Sequence, residues 1–174
     1  YLLSTSDYKR NVRLPEYLQA LRLDRADLRV HLLRQDTLSG APDVFGYFTG
    51  LAVVPGIATN HFLPGAIADH LTSFGGQLTD SPQMSALRWL EAGATASYGT
   101  VEEPCNLPAK FPDPGLALSY YRRGDTLIEA YWRSVAMPGQ GVFIGEPLAR
   151  PWSNGRETLL RGSGAAGATS RRAQ

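Results

Sequence analysis

Short apolar runs of strand character alternate with segments of helical periodicity along this chain, and that alternation limits the fold more than any single motif. Tyr1–Ser4 (YLLS), Leu28–Leu33 (LRVHLL), Val44–Phe48 (VFGYF), Gly65–Leu71 (GAIADHL), Ala94–Val101 (ATASYGTV) and Val142–Ile144 read as strands. Leu14, Tyr17, Leu18 and Leu21 fall at helical spacing, which predicts a helix over Pro15–Leu23 with Pro15 in its first turn. Asp7 is the expected cap upstream of it. Met84, Leu87, Trp89 and Leu90 form an apolar stripe on a second helix predicted over Ser81–Ala92, stopped by Gly93. Two more helices, Leu116–Arg123 and Leu127–Val135, are split by Gly124. This order predicts a three-layer α/β/α fold with a mostly parallel sheet. Right-handed crossovers then collect the loops Ser4–Asp7, Thr49–Asn60, Thr72–Asp80 and Thr100–Asp113 at one sheet edge. Open parallel sheets bind their ligands at that edge.

The chain has 174 residues, enough for one domain with a sizeable core, expected over residues 1–152. Residues 153–174, poor in large apolar side chains and rich in Gly, Ala, Ser and Arg, are expected to form a disordered tail. A net charge of +1 gives no electrostatic mandate for nucleic acid or a membrane surface, so neither is an expected partner. No apolar run reaches the length of a membrane span, so direct insertion is not expected either. The single cysteine excludes an internal disulfide. Tyr1 opens directly in a strand-like run, which suggests the C-terminal part of a longer protein whose upstream half, or a partner protein, packs against it. No phosphate-binding glycine loop, dinucleotide fingerprint or H-E-x-x-H pair occurs, and no cofactor is expected. His61, His70 and Asp69 match no metal-ligand spacing, so no metal is expected.

Two places carry candidate chemistry. Cys105 lies in a loop on the loaded edge, and His70 ends a strand that projects toward the same edge. An imidazole can hold a thiol as thiolate, which makes Cys105 and His70 a candidate catalytic dyad, with Asp69 or Asn106 orienting the ring. Glu102 and Glu103 oppose this, because neighbouring negative charge raises a thiol pKa. The plainer alternative is an inert thiol and a histidine hydrogen-bonded to a loop carbonyl. The second place is Thr72-Ser73-Phe74-Gly75-Gly76. Its glycines suit either a nest of backbone N–H groups for an anion or a tight turn with positive φ. Ser97 sits in Thr95-Ala96-Ser97-Tyr98-Gly99, which lacks the first glycine of a nucleophile elbow and lies within a strand, so it is set aside. His31 alternates within an apolar strand and reads as structural. Tyr120, Tyr121, Tyr131 and Trp132 read as core packing between helix and sheet.

The segments Asp43–Gly50 (DVFGYFTG), Phe62–Gly76 (FLPGAIADHLTSFGG), Gln83–Asn106 and Gly124–Leu148 resemble an uncharacterised bacterial family found in species with exosortase-type protein sorting. That resemblance implies an extracytoplasmic setting, in the periplasm or cell envelope. The architecture is also similar to the second half of caspase-like domains of the gingipain and CHAT kind. In those peptidases a His-Gly ends one strand and a nucleophilic Cys ends the next. Here the first position falls at Thr49, before Gly50, and the second near Ser73, before Gly75 and Gly76. Neither catalytic residue is kept. The resemblance thus implies a caspase-like half-domain, catalytically degenerate, binding an extended peptide or a protein through Thr49–Asn60 and Thr100–Asp113. Thr49, Thr72, Ser73, Gly75, Gly76 and Asn106 are its expected binding residues. The competing expectation is a cysteine hydrolase or peptidase using Cys105 and His70; a third is a purely structural subunit.

Overall fold

The computed structural model describes residues 1–153, so all of the expected tail after Ser153 lies outside the described residues. In chain order the elements are β1 (Leu2–Ser4), α1 (Leu14–Ala20), β2 (Leu32–Arg34), β3 (Val44–Thr49), β4 (Phe62–His70), α2 (Leu87–Glu91), β5 (Ala96–Thr100), α3 (Pro114–Arg122), α4 (Leu127–Ser134) and β6 (Gly141–Gly145). The strands form one sheet in the order β2-β1-β3-β4-β5-β6. The first five are parallel, and β6 closes one edge antiparallel to β5. Sheet and helices make a three-layer α/β arrangement.

Side-chain alternation along the strands builds a core on each face. On one face Leu2, Phe48, Ile67, Ala96 and Tyr98 pack against Tyr17 of α1, Leu118 and Tyr121 of α3, and Leu127 and Tyr131 of α4. On the other, Leu3, Tyr47, Ala66 and Ala68 pack against Trp89 of α2 and against Leu38 and Val54 of two loops. The helix starts follow local chemistry. Asp113 accepts hydrogen bonds from the Gly115 and Leu116 N–H groups at the start of α3. Thr126 and Glu129 form a reciprocal capping box at the start of α4. Asp7 caps a single 3-10 turn, Tyr8–Arg10, rather than α1.

Two elements differ from the sequence expectation. The helix expected over Ser81–Ala92 shrinks to Leu87–Glu91, because tertiary bonds claim the backbone that would extend it. The Met84 N–H donates to Ala52 O at 3.2 Å, and the Ala86 N–H donates to Gly75 O at 2.8 Å. Ser81 and Ser85 turn inward on the local backbone instead, accepting from the N–H groups of Gln83 and Leu87. The strand expected over Leu28–Leu33 begins only at Leu32. Leu28 instead closes a tight turn with Arg25 and drops its side chain into the core. Since β1–β5 run parallel, their carboxyl ends share one rim, where Thr49 lies beside His70 in register.

Candidate functional site

Asp69 and His70 are consecutive at the end of β4, so their side chains leave opposite faces of the sheet. Both are buried. His70 Nδ1 accepts from the Trp89 indole N–H at 3.0 Å, and Nε2 lies 2.9 Å from the Met84 carbonyl oxygen. An indole N–H can only donate and a carbonyl can only accept, so the ring is the neutral tautomer with its proton on Nε2. Burial pulls the imidazole pKa down to about 4, against the opposing effect of the Met84 carbonyl. Both ring nitrogens are thereby engaged, and neither is left to activate a thiol.

Asp69 does not orient that ring. Its carboxylate lies on the α1 face, 2.7 Å from the Arg13 guanidinium, with both side chains essentially inaccessible. Arg13 is enclosed by the rings of Tyr17, Phe48 and Phe111, with centroids 5.6, 5.9 and 5.5 Å from its guanidinium carbon. It also donates to the carbonyls of Thr49 at 3.1 Å and Pro112 at 3.4 Å. Burial works against the arginine's charge, yet Asp69 and its other neighbours raise the pKa above the ordinary arginine value. Burial raises the Asp69 carboxyl as well, and Arg13 opposes that rise. The two faces of one strand end thus serve two separate buried clusters.

The Thr72–Gly76 turn is pinned from several sides. Gln83 Oε1 accepts from Thr72 Oγ1 at 2.5 Å and from the Phe74 N–H at 2.8 Å. Thr100 Oγ1 donates to the Thr72 and Ser73 carbonyls, and the Gly76 N–H donates to Thr100 O. The segment is a turn, but neither Gly75 nor Gly76 has positive φ, which corrects that part of the expectation. Gly76 is a glycine because the turn lies directly on β5. A Cβ on Gly76 or on Gly99 would overlap the backbone of the other segment. Gly75 also sits over the imidazole, with His70 Cε1 3.4 Å from its Cβ position. An anion nest is likewise disfavoured, since the Phe74 and Gly76 N–H groups already have protein acceptors. The side-chain oxygens of Thr49 and Ser73 are buried without a hydrogen-bond partner among the described residues.

Cys105 and Asn106 occupy a different part of the rim. With Asp7, Tyr8, Lys9, Arg10, Glu103 and Pro104 they border an open cleft of about 580 Å³. The nearest basic groups there are those of Lys9 and Arg10, and no histidine lines the cleft. Arg10 is committed to Asp7 and to the Leu71 carbonyl. Buried Lys110 anchors the loop from below, its ammonium donating to the carbonyls of Glu102 and Pro104. Across the rim, Val53, Val54, Ile57, Leu78, Pro82 and Met84 line a second groove of about 460 Å³. The expected residues therefore separate into three places: His70 with the Thr72–Gly76 turn, Asp69 with Arg13, and Cys105 with Asn106. Among the described residues no group of three or more His, Cys, Asp or Glu is arranged to hold a metal.

Arg13, Gln83 and Lys110 organise these places, and the sequence reading passed over all three. Only Arg13 had a signal: it precedes a helix start where a Ser, Thr, Asp or Asn is the usual cap. His31 is exposed and stacks on the Tyr1 ring at 5.1 Å. Of the aromatic group, Tyr121 and Tyr131 are core residues, whereas Tyr120 carries the guanidinium groups of Arg123 and Arg133 over its ring.

Fold and rim define an open-sheet α/β domain with clefts at the carboxyl edge of its parallel strands. No family model, no curated protein and no solved structure matches the chain.

Proposed function

We propose that this chain is a caspase-like half-domain that binds an extended peptide or a partner protein at its rim without cleaving it. The observation that carries the reading is the closure of His70. The imidazole nearest the rim is neutral, buried and bonded on both nitrogens to Met84 and Trp89. A general base needs a free nitrogen within reach of the proton it takes, and none is offered here. Adjacent parallel ends of β3 and β4 support the caspase-like part of the reading, since the resemblance places its His-Gly and Cys at two such ends. Threonine and serine stand there instead, with oxygens turned inward.

The binding part rests on the two rim clefts, one against the Thr100–Asp113 loop and the other against the Thr49–Asn60 loop. The resemblance to a bacterial family linked with exosortase-type sorting makes an extracytoplasmic sorting-signal peptide the ligand to try first. No helix among the described residues is long and apolar enough to cross a membrane.

Two measurements test this. Iodoacetamide at neutral pH is expected to alkylate Cys105 in the folded protein no faster than in the urea-unfolded protein; labelling about tenfold faster when folded marks an activated thiolate and restores the hydrolase reading. In a peptide-display selection on the intact protein, retained peptides are expected to lose about tenfold or more in affinity on Val53→Glu or Lys9→Glu. Both positions are exposed, so the fold survives the change. Unchanged affinity in both variants removes the rim clefts as the binding site.

A further inference from the structure

Beneath the rim on the α1 face, one buried cation shares a cluster with three carboxylates. Arg13 interacts with Asp69 from β4 and with Glu16, one turn further along α1, while Asp113 at the N-terminus of α3 acts on Glu16, with the Tyr17 phenol beside them. Two of the carboxylates have partners. Asp69 holds the guanidinium at 2.7 Å, and Asp113 Oδ1 accepts two backbone N–H groups. Glu16 is the one in excess. Its Oε2 is buried and has no hydrogen-bond partner among the described residues; Arg13 Nε and both Asp69 oxygens also lack hydrogen bonds, but Asp69 keeps its ion pair with the guanidinium. A second ionised carboxylate on a single buried guanidinium has little left to offset its desolvation.

We infer that Glu16 is the proton-binding member of this cluster, and that its ionisation loosens the junction between α1 and the rim. Once charged, Glu16 competes with Asp69 for Arg13. The guanidinium also holds the carbonyls of Thr49 and Pro112, at the roots of the loops that follow β3 and β5. A shift of Arg13 toward Glu16 therefore releases both loops together. The electrostatics agree in direction. Burial, then the like charges of Asp113 and Asp69, hold the Glu16 carboxyl at about 7, against the pull of Arg13. The unfolded chain has the ordinary value of 4.5. A raised folded pKa gives stability that is complete below the unfolded value and is lost as pH rises through the folded one.

His70, at about 4, is shifted the opposite way and tilts the whole-protein profile against this trend. The readout is therefore the difference between wild type and Glu16→Gln in urea unfolding across a pH series. Relative to the variant, the unfolding constant of wild type is expected to rise about tenfold or more between about pH 5 and about pH 8. Parallel profiles overturn the inference. Should the variant unfold, a carbon-13 NMR titration of the wild-type Glu16 carboxyl decides the same point. A midpoint near 7 that falls in Asp113→Asn supports it, and a midpoint near 4.5 overturns it. Peptide binding enters neither readout, so the outcome is independent of the proposed function.

Discussion

Asp69 and His70 are neighbours in sequence, equally buried, and solve the problem of a polar group in the interior in opposite ways. On the α2 face His70 stays neutral, and two hydrogen bonds satisfy its ring. On the α1 face Asp69 is held by charge: a guanidinium boxed by three aromatic rings, with further polar atoms of Glu16, Tyr98 and Tyr131 buried nearby and unpartnered among the described residues. A neutral, fully paired site needs no neighbouring charge to satisfy it. A charged and incompletely paired one depends on every neighbouring ionisation. The rim thus rests on a neutral, hydrogen-bonded support on one side and a charged, incompletely paired one on the other.

The sharpest way to break that contrast is to remove the cation. Arg13→Met leaves Asp69 buried without its partner, and a loss of about 3–5 kcal/mol in urea unfolding at neutral pH is expected. A loss much below that range would mean Asp69 is already neutral and the two sides are alike. The second probe titrates the other side. With the His70 pKa at about 4 when folded and 6.5 when unfolded, its contribution is complete above pH 6.5 and is lost as pH falls through 4. Measured as wild type minus His70→Gln, that loss is expected to reach about 3 kcal/mol. A flat difference profile would show an imidazole open to water. The mildest perturbation lifts the turn that covers it. Gly99→Ala drives a methyl into the Gly75–Gly76 backbone and should cost about 1–3 kcal/mol. Gly139→Ala meets nothing within 4 Å and serves as the control.

Much of the architecture was legible in the residue order. Runs such as VFGYF and ATASYGTV become β3 and β5, and LIEAYWRS becomes α4 behind its Thr126–Glu129 box. Local patterns suffice there because the element and its cap are made within a few residues. The site was less legible. Cys105 lies in a rim loop and His70 at a strand end on the same rim, yet the histidine's partners lie 14 and 19 residues further on, in a segment whose helix is cut short by bonds to Ala52 and Gly75. No spacing rule in the sequence reports such a competition. The same holds for Gly76 and Gly99, whose glycine identity comes from contact between a turn and a strand rather than from backbone conformation.

By itself the sequence determined that this chain makes a layered α/β domain and that its parallel strands end at a common rim. Period and handedness are local properties, and they propagate into topology without knowledge of the partners. Only the tertiary structure decided what the side chains of Asp69 and His70 do. Trp89 and Met84 closed one around a neutral hydrogen-bonded ring. Arg13, arriving from α1, made the other part of a buried charge cluster. Which donor or charge reaches a buried polar atom depends on side chains brought together by the packing of distant segments, and that packing is what set the chemistry at the rim.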